Sequence, residues 1–366
     1  MVNDHVPTSS TAAPAAIAAE FTPGAGIVSV TPHGGGLIND SYLVRRRGQP
    51  SLLLQRLNPE VFPQPQLLLH NLRRVSDHLS LKSEQTGLGK KHQAVTMLTT
   101  RHGEDYFCDK QGHYWRALLF IEHSRTLPGL ENPRQANEAG AILGRFHALL
   151  HDLPPARLYD PLPTFHVVPS ALARYRRLRQ AQPAGRVDDE TAFCREFIDQ
   201  RQEAAAVLEQ ARSRGILPER VIHGDPKLDN ILFAEDEERA LALVDYDTLK
   251  PGLTQYDIGD CLRSCCNPHG EEARQPVFEL ELAHALLSGY LSEMRALLTY
   301  SDFAYIYDAC RLLTFELGLR FFSDFLAGNL YFKVSDPEQN LRRAGSQFRL
   351  VASIEGQERA LRATEA

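Results

Sequence analysis

The chain has 366 residues, 43% of them hydrophobic and 23% charged, with a formal net charge of −6. That length exceeds what one small core serves and points to one large or two lobe-sized domains. The acidic balance speaks against a general binder of nucleic acid or of anionic membranes, and no apolar stretch is long enough to span a bilayer.

Residues 1–20, rich in Ala, Ser, Thr and Pro, read as a flexible lead without the basic start of a signal peptide. Strands follow. "GIVSVTPHGGGLINDSYLVRRRGQPSLLLQRLN" holds β-rich runs parted by a glycine cluster, Gly34, Gly35 and Gly36, and by a turn at "RRGQP". Residues 65–80 suit a helix, with Leu68, Leu72, Val75 and Leu79 at spacings of three and four. The stretch "DYFCDKQGHYWRALLFIE" returns to strand, with Trp115 placed as packing, and "ALLFIEH", residues 117–123, reads as a hinge.

After Pro133 the pattern turns helical. Ala136, Ala139, Leu143, Phe146 and Leu150 share one face, on which His147 reads as a packed residue, and residues 188–213 form a second helical stretch. Two short strands, "RVIHGD" and "ALALVDYD", flank "HGDPKLDN". From about residue 273 helices dominate, with an apolar stripe through Val277, Leu280, His284, Leu287, Leu291, Met294 and Leu298. The basic clusters at Arg45–Arg47 and Arg174–Arg179 read as solvated faces. The six cysteines, Cys108, Cys194, Cys261, Cys265, Cys266 and Cys310, form no CxxC pair and read as reduced, mostly buried thiols of a cytoplasmic protein. The expected class is α+β: a β-rich N-lobe over 21–123 and a mainly helical C-lobe over 124–366, with a ligand held between lobes.

Chemistry concentrates on the charged hairpin. Its strand ends can bring Asp225, Asn230 and Asp245 together. Two carboxylates and an amide suit a hard divalent cation with oxygen ligands, and a carboxylate left over can take a proton from an attacking hydroxyl.

"VIHGDPKLDNILF" with "LVDYDTLKPGLTQYDIGD" resembles the aminoglycoside phosphotransferase and choline kinase family, which shares the bilobal protein-kinase-like fold. The strings "GGGLINDSYLV", "LLLQRLN", "LGRFHALLH" and "LLTFELGLRFFSDFLAGNLYFKV" resemble its N-acetylhexosamine 1-kinase branch, so the likeness runs over about residues 25–355. The resemblance implies a small-molecule O-phosphotransferase with ATP and Mg²⁺ as cofactors, acting on the anomeric hydroxyl of an amino sugar, an N-acetylhexosamine, and no nucleic-acid or membrane partner. An aminoglycoside, choline or another sugar is the alternative acceptor, and the missing strand lysine leaves a nucleotide-binding pseudoenzyme as the other alternative. The resemblance implies Asp225 as catalytic base, His223 as a brace of the loop and Lys227 as a cation steadying the transferred phosphate. It implies Asn230 and Asp245 as metal ligands, Asp247 as a second metal contact and Asp257 as a support behind the loop. Gly34, Gly35 and Gly36 would turn over the phosphates, and Phe120, Ile121 and Glu122 of the hinge would meet the nucleotide. The usual strand lysine is missing; Gln55 and Arg56 stand there, and Arg56 is expected to replace it as a bidentate phosphate ligand. Acceptor contacts are expected from Arg311, Arg320, Asp324 and Tyr331, with Glu316 nearby.

Overall fold

The computed structural model describes residues 12–24, 26–34, 38–86, 92–181 and 188–363. Two compact units divide the chain. One takes residues up to Asp77 together with Val95–Glu122, the other His78–Ala94 together with everything from His123 onward. The long second segment begins at His123. The assignment of 78–94 does not follow expectation: His78 and Lys82 both pair with Asp152, and the Gln93 amide donates to the Leu241 carbonyl, which ties this stretch to the second unit.

The first unit opens with α1 (Ala12–Glu20), where a flexible lead was expected. Alanine is the strongest helix former, and Pro14 sits early, where a proline costs least. Ala18 and Phe21 are buried against the sheet, which supplies the packing that a free lead lacks. The sheet holds β1 (Ile27–Pro32), β2 (Asp40–Arg46) and β3 (Gln49–Arg56). The helix α2 (Pro65–Thr86) leads on to β4 (Met97–Leu98), β5 (Phe107–Cys108) and β6 (Tyr114–Leu119). The strand order is β1-β2-β3-β6-β4 with β5 on β6, and every pairing is antiparallel. Leu68, Leu72, Val75 and Leu79 of α2 are all fully buried, as their spacing predicts.

The second unit is helical with small sheets. In chain order it runs β7 (Ser124–Arg125), α3 (Pro133–Leu150), α4 (Val168–Ala181), α5 (Asp189–Arg201) and α6 (Val207–Ser213). Next come β8 (Arg220–Ile222), β9 (Ile231–Ala234), β10 (Ala240–Leu243) and β11 (Lys250–Gly252). It closes with α7 (Thr254–Cys265), α8 (Leu280–Met294), α9 (Tyr300–Ala304), α10 (Ile306–Leu326), α11 (Gln339–Glu355) and α12 (Glu358–Ala363). Asn132 caps α3 by accepting from the Gln135 amide, with Pro133 in the first turn. One hydrophobic core lies among α4, α5, α10 and α11, where Phe197, Phe315, Phe322 and Phe348 are buried.

Helices α3 and α8 pack backbone to backbone. A Cβ on Gly140 would lie 1.8 Å from the Leu286 carbonyl oxygen, and one on Gly289 would lie 1.9 Å from that of Asn137. This approach helps set the buried face of α8, which is Leu282, Ala283, Leu286, Leu287, Gly289, Tyr290 and Met294. The expected stripe is met only in part: Leu287 and Met294 are buried, but Val277 is exposed, and Leu280, His284 and Leu291 are only half-buried. Five of the six cysteines are buried, as expected, and Cys108 is exposed. Burial pushes the Cys194, Cys266 and Cys310 thiols up from their ordinary range, so they pack as small hydrophobes. Among the described residues no helix is long and apolar enough to cross a membrane.

Candidate active site

Strand β8 delivers the chain into the loop from His223, which ends in a single 3₁₀ turn, Leu228–Asn230, before β9. Gly224 is left-handed, with φ of 87°, and a Cβ there would lie 2.5 Å from the Thr248 carbonyl oxygen. Only glycine meets both demands. Behind the loop Asp257, on α7, is fully buried. Its Oδ1 accepts from the Gly224 amide at 2.8 Å, and its Oδ2 accepts from the His223 amide at 2.7 Å. His147 of α3 sits on the same Oδ2 at 2.9 Å, with the Tyr290 hydroxyl at 3.0 Å from its other nitrogen. Burial opposes ionisation of Asp257, but these donors, His147 first, outweigh it and hold the carboxyl below its usual range.

His223 has one acceptor and one donor for neighbours. Its Nε2 is 3.0 Å from the Val244 carbonyl, so it donates there, and its Nδ1 accepts from the Asp225 amide at 3.2 Å. A neutral imidazole satisfies both, and burial lowers its pKa accordingly. His223 thus ties the loop to the end of β10.

Asp225 stands at the centre. Its Oδ2 accepts from Lys227 Nζ at 2.8 Å and from Asn230 Nδ2 at 3.2 Å, and that amide group also donates to the Asp225 carbonyl at 2.8 Å. Burial works against its charge, but the Lys227 ammonium prevails and keeps the carboxyl below its usual range; the same pair raises Lys227. Asp225 Oδ1 and Asn230 Oδ1 accept no hydrogen bond among the described residues. The Val244 amide donates to the Asn230 carbonyl at 2.8 Å, which sets Asp245 beside Asn230. Asp245 is exposed and left-handed, with φ of 68°, a conformation a non-glycine residue holds only at a cost. Lys227 senses its charge. An open amide oxygen and an exposed carboxylate, side by side, suit a hard cation. Asp247, expected as a second metal contact, is instead buried in the turn that follows.

The second unit also holds what the sequence reading passed over. The segment before α4 is pinned by Lys250, whose ammonium donates to Asp160 Oδ2 at 3.3 Å and to the Leu162 and Phe165 carbonyls at 3.3 and 2.9 Å. It presents His166, left-handed at φ of 66°, with Nε2 2.5 Å from the Gly224 carbonyl and Nδ1 3.0 Å from Glu316 Oε2. No spacing signal marks His166, since its partners lie on α10 and on the loop. Its positive φ exists only in the fold.

The expected acceptor residues part company. Arg320, one turn beyond Glu316 on α10, is half-buried over the rings of Phe165, Tyr331 and Phe332 at 4.7, 5.9 and 5.5 Å, and forms no ion pair or hydrogen bond among the described residues. Tyr331 is 46% exposed. Asp324 is buried and spent on structure: it accepts from the Leu330, Tyr331 and Phe332 amides and from Asn340 Nδ2, all within 3.0 Å. Arg311 pairs with Glu355, which also takes Arg201. Neither Asp324 nor Arg311 is left to meet a ligand as expected.

In the first unit, Gly34 is left-handed at φ of 69°, while Gly35 and Gly36 lie outside the described residues. His33 meets Phe120 edge to face at 5.2 Å, Ile121 is buried, and Glu122 is exposed with Oε1 3.4 Å from the Ser51 amide. Arg56 departs from expectation. Strand alternation puts it on the face of Leu52 and Leu54, where it pairs with Asp40 and lies over Trp115. Gln55 occupies the opposite face, and its Oε1 accepts from Nε and Nη2 of the fully buried Arg116 at 3.0 and 2.8 Å.

A model of the phosphotransferase enzyme family matches residues 29–297. The chain belongs to this family. An aminoglycoside phosphotransferase from Alicyclobacillus acidocaldarius is 16% identical, with 95% of this chain and 96% of that one covered and a TM-score of 0.65. A microcompartment-associated aminopropanol kinase is 17% identical over 96% and 98%, with a TM-score of 0.62. An amicoumacin kinase, hAmiN, solved in complex with AMP-PNP, Ca²⁺ and Ami is 16% identical over 91% of each chain, with a TM-score of 0.56. The α+β kinase-like fold class is therefore the one expected, and the protein is a member of a phosphotransferase family. The branch suggested by the weaker strings has no counterpart among these relatives.

Proposed function

We propose that this phosphotransferase moves the γ-phosphate of ATP to a sugar hydroxyl, the anomeric hydroxyl of an N-acetylhexosamine, with Mg²⁺ as its cation. The observation that carries the chemistry is the asymmetry of Asp225. Lys227 and Asn230 hold its Oδ2 while Oδ1 stays open, so the carboxylate is ionised, oriented and ready to take the acceptor's proton. Asn230 Oδ1 and Asp245 would hold the metal, which when bound supplies charge neutralisation on the phosphate oxygens. Lys227 keeps Asp225 charged.

Arg320 supports a neutral or hydroxyl-rich acceptor. A guanidinium framed by three rings, near Glu316 but hydrogen-bonded to nothing among the described residues, offers hydrogen-bond donors and repels an ammonium. Glu316, the carboxylate that a cationic acceptor of the kind in the relatives' names would seek here, is already engaged by His166.

The test is ATP consumption across a panel of N-acetylhexosamines, neutral hexoses, aminoglycosides, choline and ethanolamine, with Asp225→Asn as control. Turnover should be highest with an N-acetylhexosamine, and Asp225→Asn should lose at least about a hundredfold in kcat, since positioned general bases are worth roughly 10²–10⁴, while still binding nucleotide. Preference for a cationic acceptor would overturn the substrate reading; near-normal turnover by Asp225→Asn would overturn the base.

A further inference from the structure

Two histidines touch the catalytic loop, and their neighbours differ. His223 faces one acceptor and one donor and is neutral. His166 faces two groups that can only accept, the Glu316 carboxylate at 3.0 Å and the Gly224 carbonyl at 2.5 Å. Two acceptors demand two ring protons. We propose that His166 is a positioning residue for Asp225, held as an imidazolium that bridges Glu316 on α10 to the carbonyl of Gly224.

Geometry supports this from three sides. First, Gly224 is gripped at both ends: its amide donates to Asp257 and its carbonyl accepts from His166. The peptide that carries Asp225 thus has its plane fixed. Second, His166 is left-handed, a strained backbone state that persists only where its surroundings enforce it. Here they do: the His166 amide donates to Glu316 Oε1 at 3.1 Å, and Lys250 pins the preceding Phe165 carbonyl. Third, charge is arranged for a cation. Glu316 on α10 and Asp260 on α7 favour it, with Asp225 on the loop. Arg320 on α10 and Lys250 on β11 oppose it, each already held by rings or by acceptors. Burial works against the imidazolium, but Glu316 outweighs it and raises the pKa. The same pairing holds Glu316 low.

The bridge has a direction in pH. The protonated ring is the working form, so kcat is full below the His166 pKa and falls as pH rises through it. Removing the Glu316 charge lowers that pKa and brings the alkaline fall to lower pH. The acceptor and base roles rest on the function proposed above; the protonation state does not, and it is read on the protein alone.

Two measurements test the bridge. In ¹⁵N-histidine-labelled protein, correlation spectra at pH 7.5 should show both His166 ring nitrogens protonated, assigned by loss of the signals in His166→Gln. A single protonated nitrogen at that pH overturns the proposal whatever the acceptor turns out to be. Glu316→Gln keeps the shape and a hydrogen-bonding oxygen. Its alkaline limb in kcat should move down by about one pH unit or more, the usual effect of removing an adjacent opposite charge, with KM for ATP within about twofold of the parent. A limb that stays in place or moves up also overturns the proposal. Should His166→Gln fail to fold, Glu316→Gln supplies both the assignment and the kinetics.

Discussion

The support behind the catalytic loop can be probed by Asp257→Asn, a change that alters no volume. Three donors converge on this fully buried carboxylate: the Gly224 amide on Oδ1, and the His223 amide and His147 Nε2 on Oδ2. Asparagine has one oxygen and one NH₂. Its better rotamer puts oxygen where two donors point and turns NH₂ towards the Gly224 amide. One buried donor is then unsatisfied, at about 1–3 kcal/mol, and two charge-assisted bonds become neutral ones, at about 1 kcal/mol each. The total is about 3–5 kcal/mol, read from the midpoint of urea unfolding of the second unit. The kinetic effect should follow, because Gly224 carries Asp225: kcat should drop at least about tenfold, the equivalent of 1.4 kcal/mol. Stability against pH gives an independent check. The folded carboxyl lies below its unfolded value of about 3.9, so its contribution is present above that pH and is lost as pH falls through the folded pKa. Asp257→Asn should flatten this acid limb. A loss under about 1 kcal/mol with unchanged kcat would refute the reasoning.

Close packing of α3 on α8 gives a second outcome. Gly140→Ala forces a methyl into the Leu286 carbonyl and should cost about 3 kcal/mol or more, at the upper end of overpacking. Gly215→Ala, at positive φ but in open space, should cost only about 1–2 kcal/mol; equal losses in urea melts would refute the packing argument. Asp324→Asn places NH₂ among the amides of Leu330, Tyr331 and Phe332. It should speed hydrogen exchange at those residues and raise the acceptor KM about tenfold, the equivalent of one lost buried bond, with KM for ATP within about twofold.

Several features were legible in the residues alone because they depend on local periodicity or on a short loop. The faces of α2 and α3 follow from spacing, and the His223–Asn230 loop with Asp257 behind it reads directly as a phosphotransfer motif. Phase and partner were decided elsewhere. The stripe on α8 is buried only in part, at Leu287 and Met294, because a glycine contact with α3, far away in sequence, turns Leu282, Ala283, Leu286 and Tyr290 inward as well. Alternation narrowed the strand cation to two faces, yet only the register Gln55↔Arg116 and the Asp40 pair showed that Arg56 is committed elsewhere. Asp324 resembled a ligand contact until four donors were found on it. His166 was silent in sequence because its meaning is two acceptors from separate elements meeting one ring. A side chain's chemical type is written locally, whereas the groups that consume or release its charge arrive by tertiary folding, and burial makes their presence or absence decisive.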